Sequence, residues 1–188
     1  MKTKNLALAA VFTALTAVFA QIMIPLPFTP VPFSMSVFAV YLTGALLPAG
    51  WAAGAQAAYL LLGAAGLPVF GGFSGGLGVL AGPTGGYLLV YPLMAAAVAA
   101  AAHAPRRRTV PVLAAGMLCA LAVCYLGGSL WYCASAGVDW KKSAALTVLP
   151  FVPFDLLKIA LCAPFAAALG RALEKARLLP QRDGPKVK

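Results

Sequence analysis

The sequence predicts an all-α membrane protein of six transmembrane helices, and three observations carry that expectation. Between Lys4 and Arg106 lie 101 residues without a single Asp, Glu, Lys or Arg, too long a run to coat a soluble domain. Overall, 62% of the 188 residues are hydrophobic and 10% are charged, against ~25% charged in soluble domains. With six spans, eleven of the 14 Lys and Arg residues fall on one side. By the positive-inside rule that side is cytoplasmic and holds both termini. The basic excess then reports topology, and no nucleic-acid role is needed.

In chain order, the first span is expected over Leu6–Ile24, with Ala10, Thr13, Ala14 and Ala17 along one face. Small residues four apart let helices approach closely in lipid, so this face is a candidate docking surface; abundant alanine gives the same spacing without any partner. Lys2, Lys4 and Val18-Phe19-Ala20 before Gln21 imitate a secretory signal and its cleavage site. Because everything beyond is equally apolar, the segment is read as a span. Four prolines within Pro25–Pro32 cannot continue a helix and force an extended connection.

Spans two and three are expected over Phe33–Leu47 and Trp51–Ala65, separated by Pro48-Ala49-Gly50. A Gly-rich outer loop, Gly66–Gly86, follows; nine of its 21 residues are glycine and none is charged. Long loops in compact domains tend to bind ligand, and glycine admits a ligand close to the backbone. Gly76-Leu-Gly-Val-Leu-Ala81 imitates a dinucleotide fingerprint, but no strand precedes it and no acid follows at the required distance. Span four is expected over Tyr87–Ala104, ending at His103 and Arg106–Arg108. Span five is expected over Val110–Cys133, with Gly127-Gly128 marking a bend or a close helix contact. Trp140, in a short loop with Lys141 and Lys142, suits a membrane interface. Span six is expected over Ala144–Gly170, its entry unwound by Pro150 and Pro153. Cys119, Cys124, Cys133 and Cys162 have no metal-ligand or C-x-x-C spacing and read as small core residues. Residues 1–188 form one integral membrane substrate-binding domain on this reading.

Asp155 and Lys158 stand out against this background. Three residues apart, they share one helix face, and either ion at membrane depth costs at least ~2.5–3.5 kcal/mol. They therefore face the interior, either gripping a ligand or neutralising each other as a tie between helices. With the predicted topology, the Pro-rich turn, the Gly-rich loop, Tyr59, Tyr87 and the charged pair converge on one outward-facing pocket suited to a small polar-headed solute. No nucleophile–base constellation is visible, so an enzyme is not expected.

Four strings carry a resemblance. They are Ile24-Pro-Leu-Pro-Phe-Thr-Pro-Val-Pro-Phe33, Tyr59-Leu-Leu-Leu-Gly-Ala-Ala-Gly-Leu-Pro-Val-Phe70, Gly75-Gly-Leu-Gly-Val-Leu-Ala-Gly-Pro-Thr-Gly-Gly-Tyr87 and Asp155-Leu-Leu-Lys158. Together they resemble the BioY family, the biotin-specific substrate-binding subunits (S-components) of energy-coupling-factor (ECF) vitamin transporters. The resemblance runs from the first span to the sixth. It implies biotin as ligand, a transmembrane coupling (T) subunit and two ATPase subunits as partners, no cofactor, and docking through Ala10, Ala14 and Ala17. Biotin's chemistry then suggests Asp155 as acceptor for the ureido N–H groups and Lys158 as donor to a ligand oxygen, with the end of the ligand that meets the pair left open. Backbone N–H groups around Thr84, Gly85 and Gly86, or hydroxyls, would take the carboxylate, and Tyr59, Phe70 and Tyr87 would pack on ring and chain. One departure is Ser36, which stands where the family commonly has Gln. A carrier for another small vitamin and a non-transporting membrane assembly subunit are the alternative readings.

Overall fold

A computed structural model describes residues 2–25, 27, 29, 31–103 and 109–179. The Arg106–Arg108 run and the tail from residue 180, which supply part of the charge asymmetry, lie outside them.

The helical bundle is apolar outside as well as in its core. Large apolar side chains such as Val18, Leu126, Leu130, Leu157, Leu161 and Phe165 are exposed, while Thr16, Gln56, Ser129, Asp155 and Lys158 are buried. That distribution suits a hydrocarbon surround, in which apolar surface need not be hidden and polar groups must be. Helix α1 runs Lys2–Gln21, ending before the predicted Ile24 because the chain turns into a strand pair. Strands β1 (Met23–Ile24) and β2 (Phe33–Ser34) are antiparallel, Met23 opposite Ser34 and Ile24 opposite Phe33. The Pro-rich segment joins these two strands in sequence. Proline has no N–H to give a ladder, so pairing stops at the two flanking residues on each side.

Helix α2 (Ser36–Leu46) is shorter than its predicted span and buried along nearly its whole length. Its 11 residues rise about 16 Å, about half a ~30 Å hydrocarbon core. Pro48 separates it from α3 (Ala49–Ala64). Four helical segments are long and apolar enough to cross a membrane: 3–21, 85–102, 110–136 and 152–175. The chain is thus a multi-pass helical membrane protein; α2 and α3 are the two expected spans that fall short of that length.

The Gly-rich stretch is not the open loop its composition predicts. It contains a 3₁₀ turn at Gly71–Phe73 and helices α4 (Leu77–Ala81) and α5 (Gly85–Leu89). Helix α6 (Tyr91–Ala102) follows after Val90. Helix α7 runs Val110–Ala136 and is closed by Gly137 at φ 66°, the left-handed cap that glycine adopts without strain. The predicted sixth span is two helices, α8 (Trp140–Thr147) and α9 (Val152–Lys175). Asp139 caps α8 by accepting from the Lys142 N–H. Pro150 lies in the break and Pro153 in the first turn of α9, where its missing N–H is harmless.

Helix α6 packs on α7, α3 and α2, and α9 packs on α7 and α2. Gln56 sews three helices together: its Nε2 donates to Thr16 Oγ1 of α1 (3.1 Å) and Thr43 Oγ1 of α2 (3.0 Å). Lys4 Nζ donates to the Arg177 carbonyl (3.1 Å), so the start of α1 and the end of α9 lie at one end of the bundle.

Candidate ligand site

The break before α9 places Asp155 in that helix's first turn, where the positive end of the helix dipole favours an anion. Lys158 follows on the same face, its Nζ 2.9 Å from Asp155 Oδ1. Both residues are buried, 6% and 5% exposed. The other carboxylate oxygen, Oδ2, accepts from the Tyr125 hydroxyl of α7 at 2.7 Å. Lys158 also donates to the Ser34 carbonyl of β2 (2.7 Å) and lies 4.2 Å from the centre of the Phe33 ring, a cation–π distance. The pair thus ties the hairpin to α9.

Two neighbouring cavities meet here. The smaller, about 70 Å³, is walled by Asp155, Lys158, Tyr125, Cys124, Thr147 and Phe151 together with the hairpin. The larger, about 170 Å³, is walled by Ser36, Tyr59, Phe70, Gly71, Ser74 and Thr84. Val31, Pro32, Ser34, Tyr87 and Tyr91 line both and form the partition between them. Each partition tyrosine is pinned by its hydroxyl. Tyr87 donates to Thr147 Oγ1 (2.6 Å), and Tyr91 lies 2.6 Å from Ser36 Oγ, which in turn contacts Ser34 Oγ at 2.9 Å. Tyr59 stacks on Tyr91 with centroids 6.2 Å apart and meets Phe70 edge-on at 5.4 Å.

The structure therefore brings together Asp155, Lys158, Ser36, Tyr59, Phe70, Thr84 and Tyr87 around the two cavities. It does not bring Gly85 or Gly86 there. The Gly85 N–H donates to the Gly82 carbonyl (3.0 Å), and a Cβ on Gly85 would strike the backbone of Leu80. A Cβ on Gly86 would strike the Trp131 side chain. These glycines permit close helix packing, and neither lines the two cavities. Gly127 and Gly128 similarly admit Val90 and the Tyr87 ring, which makes the predicted close contact specific.

Three participants were not singled out from the sequence: Tyr125, Tyr91 and Ser34. Tyr125 carried a signal, a phenol in the middle of an apolar span, whose hydroxyl needs a buried partner. Ser34 carried none, because it acts through its carbonyl. Gln21 was also missed. At the end of α1, its Nε2 donates to the carbonyls of Ala17, Val69 and Phe70, and its Oε1 accepts from the Phe73 N–H (2.8 Å). It fastens the Gly-rich segment beside the larger cavity.

Ala10, Ala14 and Ala17 lie apart from the cavities, in an apolar groove of about 750 Å³ between α1 and α3. Trp51, Gly54 and Ala58 form its other wall, and Tyr59 backs both this groove and the larger cavity. Among the described residues the four cysteines are free, and no group of His, Cys, Asp or Glu could hold a metal ion.

A membrane-embedded bundle with a buried ion pair beside small cavities defines a solute-binding membrane protein. The chain belongs to the BioY family, whose model matches residues 1–175. It is 39% identical over 160 residues to a probable biotin transporter BioY of Pyrococcus horikoshii, covering 85% of this chain and 92% of that one. It is also 39% identical to the biotin transporter BioY of Thermotoga maritima, over 88% of this chain and 95% of that one. For biotin transporter BioY2 of Lactococcus lactis the identity is 35%, covering 92% and 93%. The fold matches a crystal structure of the S-component for biotin from an ECF-type ABC transporter with a TM-score of 0.83. That match is at 23% identity and covers 90% of this chain and 92% of that one.

Proposed function

We propose that this chain binds biotin and serves its uptake as the substrate-binding subunit of an ECF transporter. The observation that carries the reading is that Asp155 and Lys158, though buried, form part of a cavity wall. A pair serving only to join helices has no need of space beside it.

Hydrogen-bond valence favours one ligand orientation. Lys158 directs two of its three N–H donors to Asp155 and Ser34, leaving one. The single Tyr125 proton goes to Asp155. The cluster therefore offers one free donor and several acceptor lone pairs. A ureido group, a C=O flanked by N–H groups, matches that set; a carboxylate, which needs donors only, does not. The ureido end meets the pair, and the valerate chain runs past Tyr87 and Tyr91 toward Thr84. Each cavity is smaller than the ~300–1,000 Å³ usual for small-molecule sites, so the ligand occupies both. The partition of hairpin and tyrosines yields as it enters.

The same reading places both termini on the cytoplasmic side of the cytoplasmic membrane. It is supported by the approach of the start of α1 to the end of α9 and by the basic residues near both ends of the sequence. The groove bearing Ala10, Ala14 and Ala17 receives the coupling (T) subunit, which two ATPases drive. Isothermal titration of the detergent-purified protein tests the binding claim. Tight, saturable heat with biotin is expected; no heat with biotin, or equal heat with an unrelated vitamin, contradicts it.

A further inference from the structure

Tyr125 stands on α7, opposite the charged pair on α9, and lines the same small cavity. Its hydroxyl donates to Asp155 Oδ2 at 2.7 Å while Lys158 holds Oδ1 at 2.9 Å. A carboxylate held by one oxygen can swing about its terminal bond, a torsion with a broad preference. Held by both, from two different helices, it cannot. One lone-pair site on each oxygen is then left in a fixed direction. The phenol oxygen, its proton committed to Asp155, keeps acceptor capacity of its own beside them.

We infer that Tyr125 is a positioning residue for ligand selectivity: it locks the Asp155 carboxylate so that its free lone pairs meet one particular ureido N–H of biotin. The inference rests on the proposed biotin reading and extends it from the ion pair to a residue on another helix. It explains why a residue outside the D-x-x-K string sits in this wall. A ligand lacking that N–H loses the bond and leaves a buried charged acceptor unsatisfied, which is the efficient way to reject an analogue.

The test titrates the parent and Tyr125→Phe with biotin and with the two biotins singly methylated on one ureido nitrogen. In the parent, one methylated analogue is expected to bind much more weakly than the other. In Tyr125→Phe, biotin binding weakens roughly ten- to a hundredfold, as for loss of a hydrogen bond to a buried charge. The gap between the two analogues narrows. Parent-like biotin binding by the variant, or an unchanged gap with all three ligands weakened equally, overturns the inference and leaves the biotin reading intact. A parent that ignores biotin overturns both. Should Tyr125→Phe fail to fold, 3-fluorotyrosine at position 125 keeps the shape and changes the donor. The infrared carboxylate band assigned to Asp155 by its loss in Asp155→Asn must then shift; an unmoved band overturns the inference.

Discussion

Lys158 Nζ lies 2.9 Å from Asp155 Oδ1, one helical turn along α9, with both residues buried in the bundle. Breaking a buried pair leaves an uncompensated charge, whereas removing both members does not. Lys158→Met is therefore expected to destabilise the protein by roughly 3–5 kcal/mol. Adding Asp155→Asn to it should recover most of that loss. Thermal unfolding in detergent checks the order, and a double variant no more stable than Lys158→Met would contradict it.

Tyr87 is held from behind by Gly128, whose added Cβ would strike its ring. Gly128→Ala must push the ring out of the partition and break its bond to Thr147. Biotin affinity should fall more in Gly128→Ala than in Tyr87→Phe, which keeps the ring in place and loses only a hydroxyl. Titration of the two variants side by side checks the ranking.

The groove between α1 and α3 predicts a separation of functions. Ala10→Leu with Ala14→Leu fills it from one wall, where close approach by a partner helix needs small side chains. Co-purification of the coupling subunit and ATPases should be lost, while biotin binding to the isolated subunit stays within about twofold of the parent, below the ~1.4 kcal/mol of a tenfold change. Loss of both would show that the groove is part of the ligand site.

Gln21 makes three hydrogen bonds that fasten residues 69–73 to the end of α1. Gln21→Ala should raise amide exchange across that segment while leaving α7 and α9 protected, because local opening follows lost local bonds. Hydrogen-exchange mass spectrometry resolves the two regions.

The sequence disclosed the parts of this structure that depend on cost. A charge gap of 101 residues and an Asp–Lys pair within apolar surroundings are expensive in only one solvent, so the membrane and the buried pair of the candidate site were legible. Relationships that depend on closeness were not. Composition made Gly66–Gly86 a loop, yet Gly85 and Gly86 serve the packing of α5 against Leu80 and Trp131. Glycine permits an approach without saying what approaches. Pro150 and Pro153 signal a disturbed entry to span six, but hydropathy continues through residues 148–151 and does not reveal that the backbone there separates two helices. The Ser34 carbonyl on Lys158 is invisible to any reading of side chains.

The most direct test of the account is a biotin titration of the double variant Asp155→Asn with Lys158→Met, purified as a folded, thermally stable protein. The account predicts a folded protein with no measurable biotin binding. Parent-like affinity in that variant would remove the pair from the ligand site and contradict the mechanism proposed for this chain.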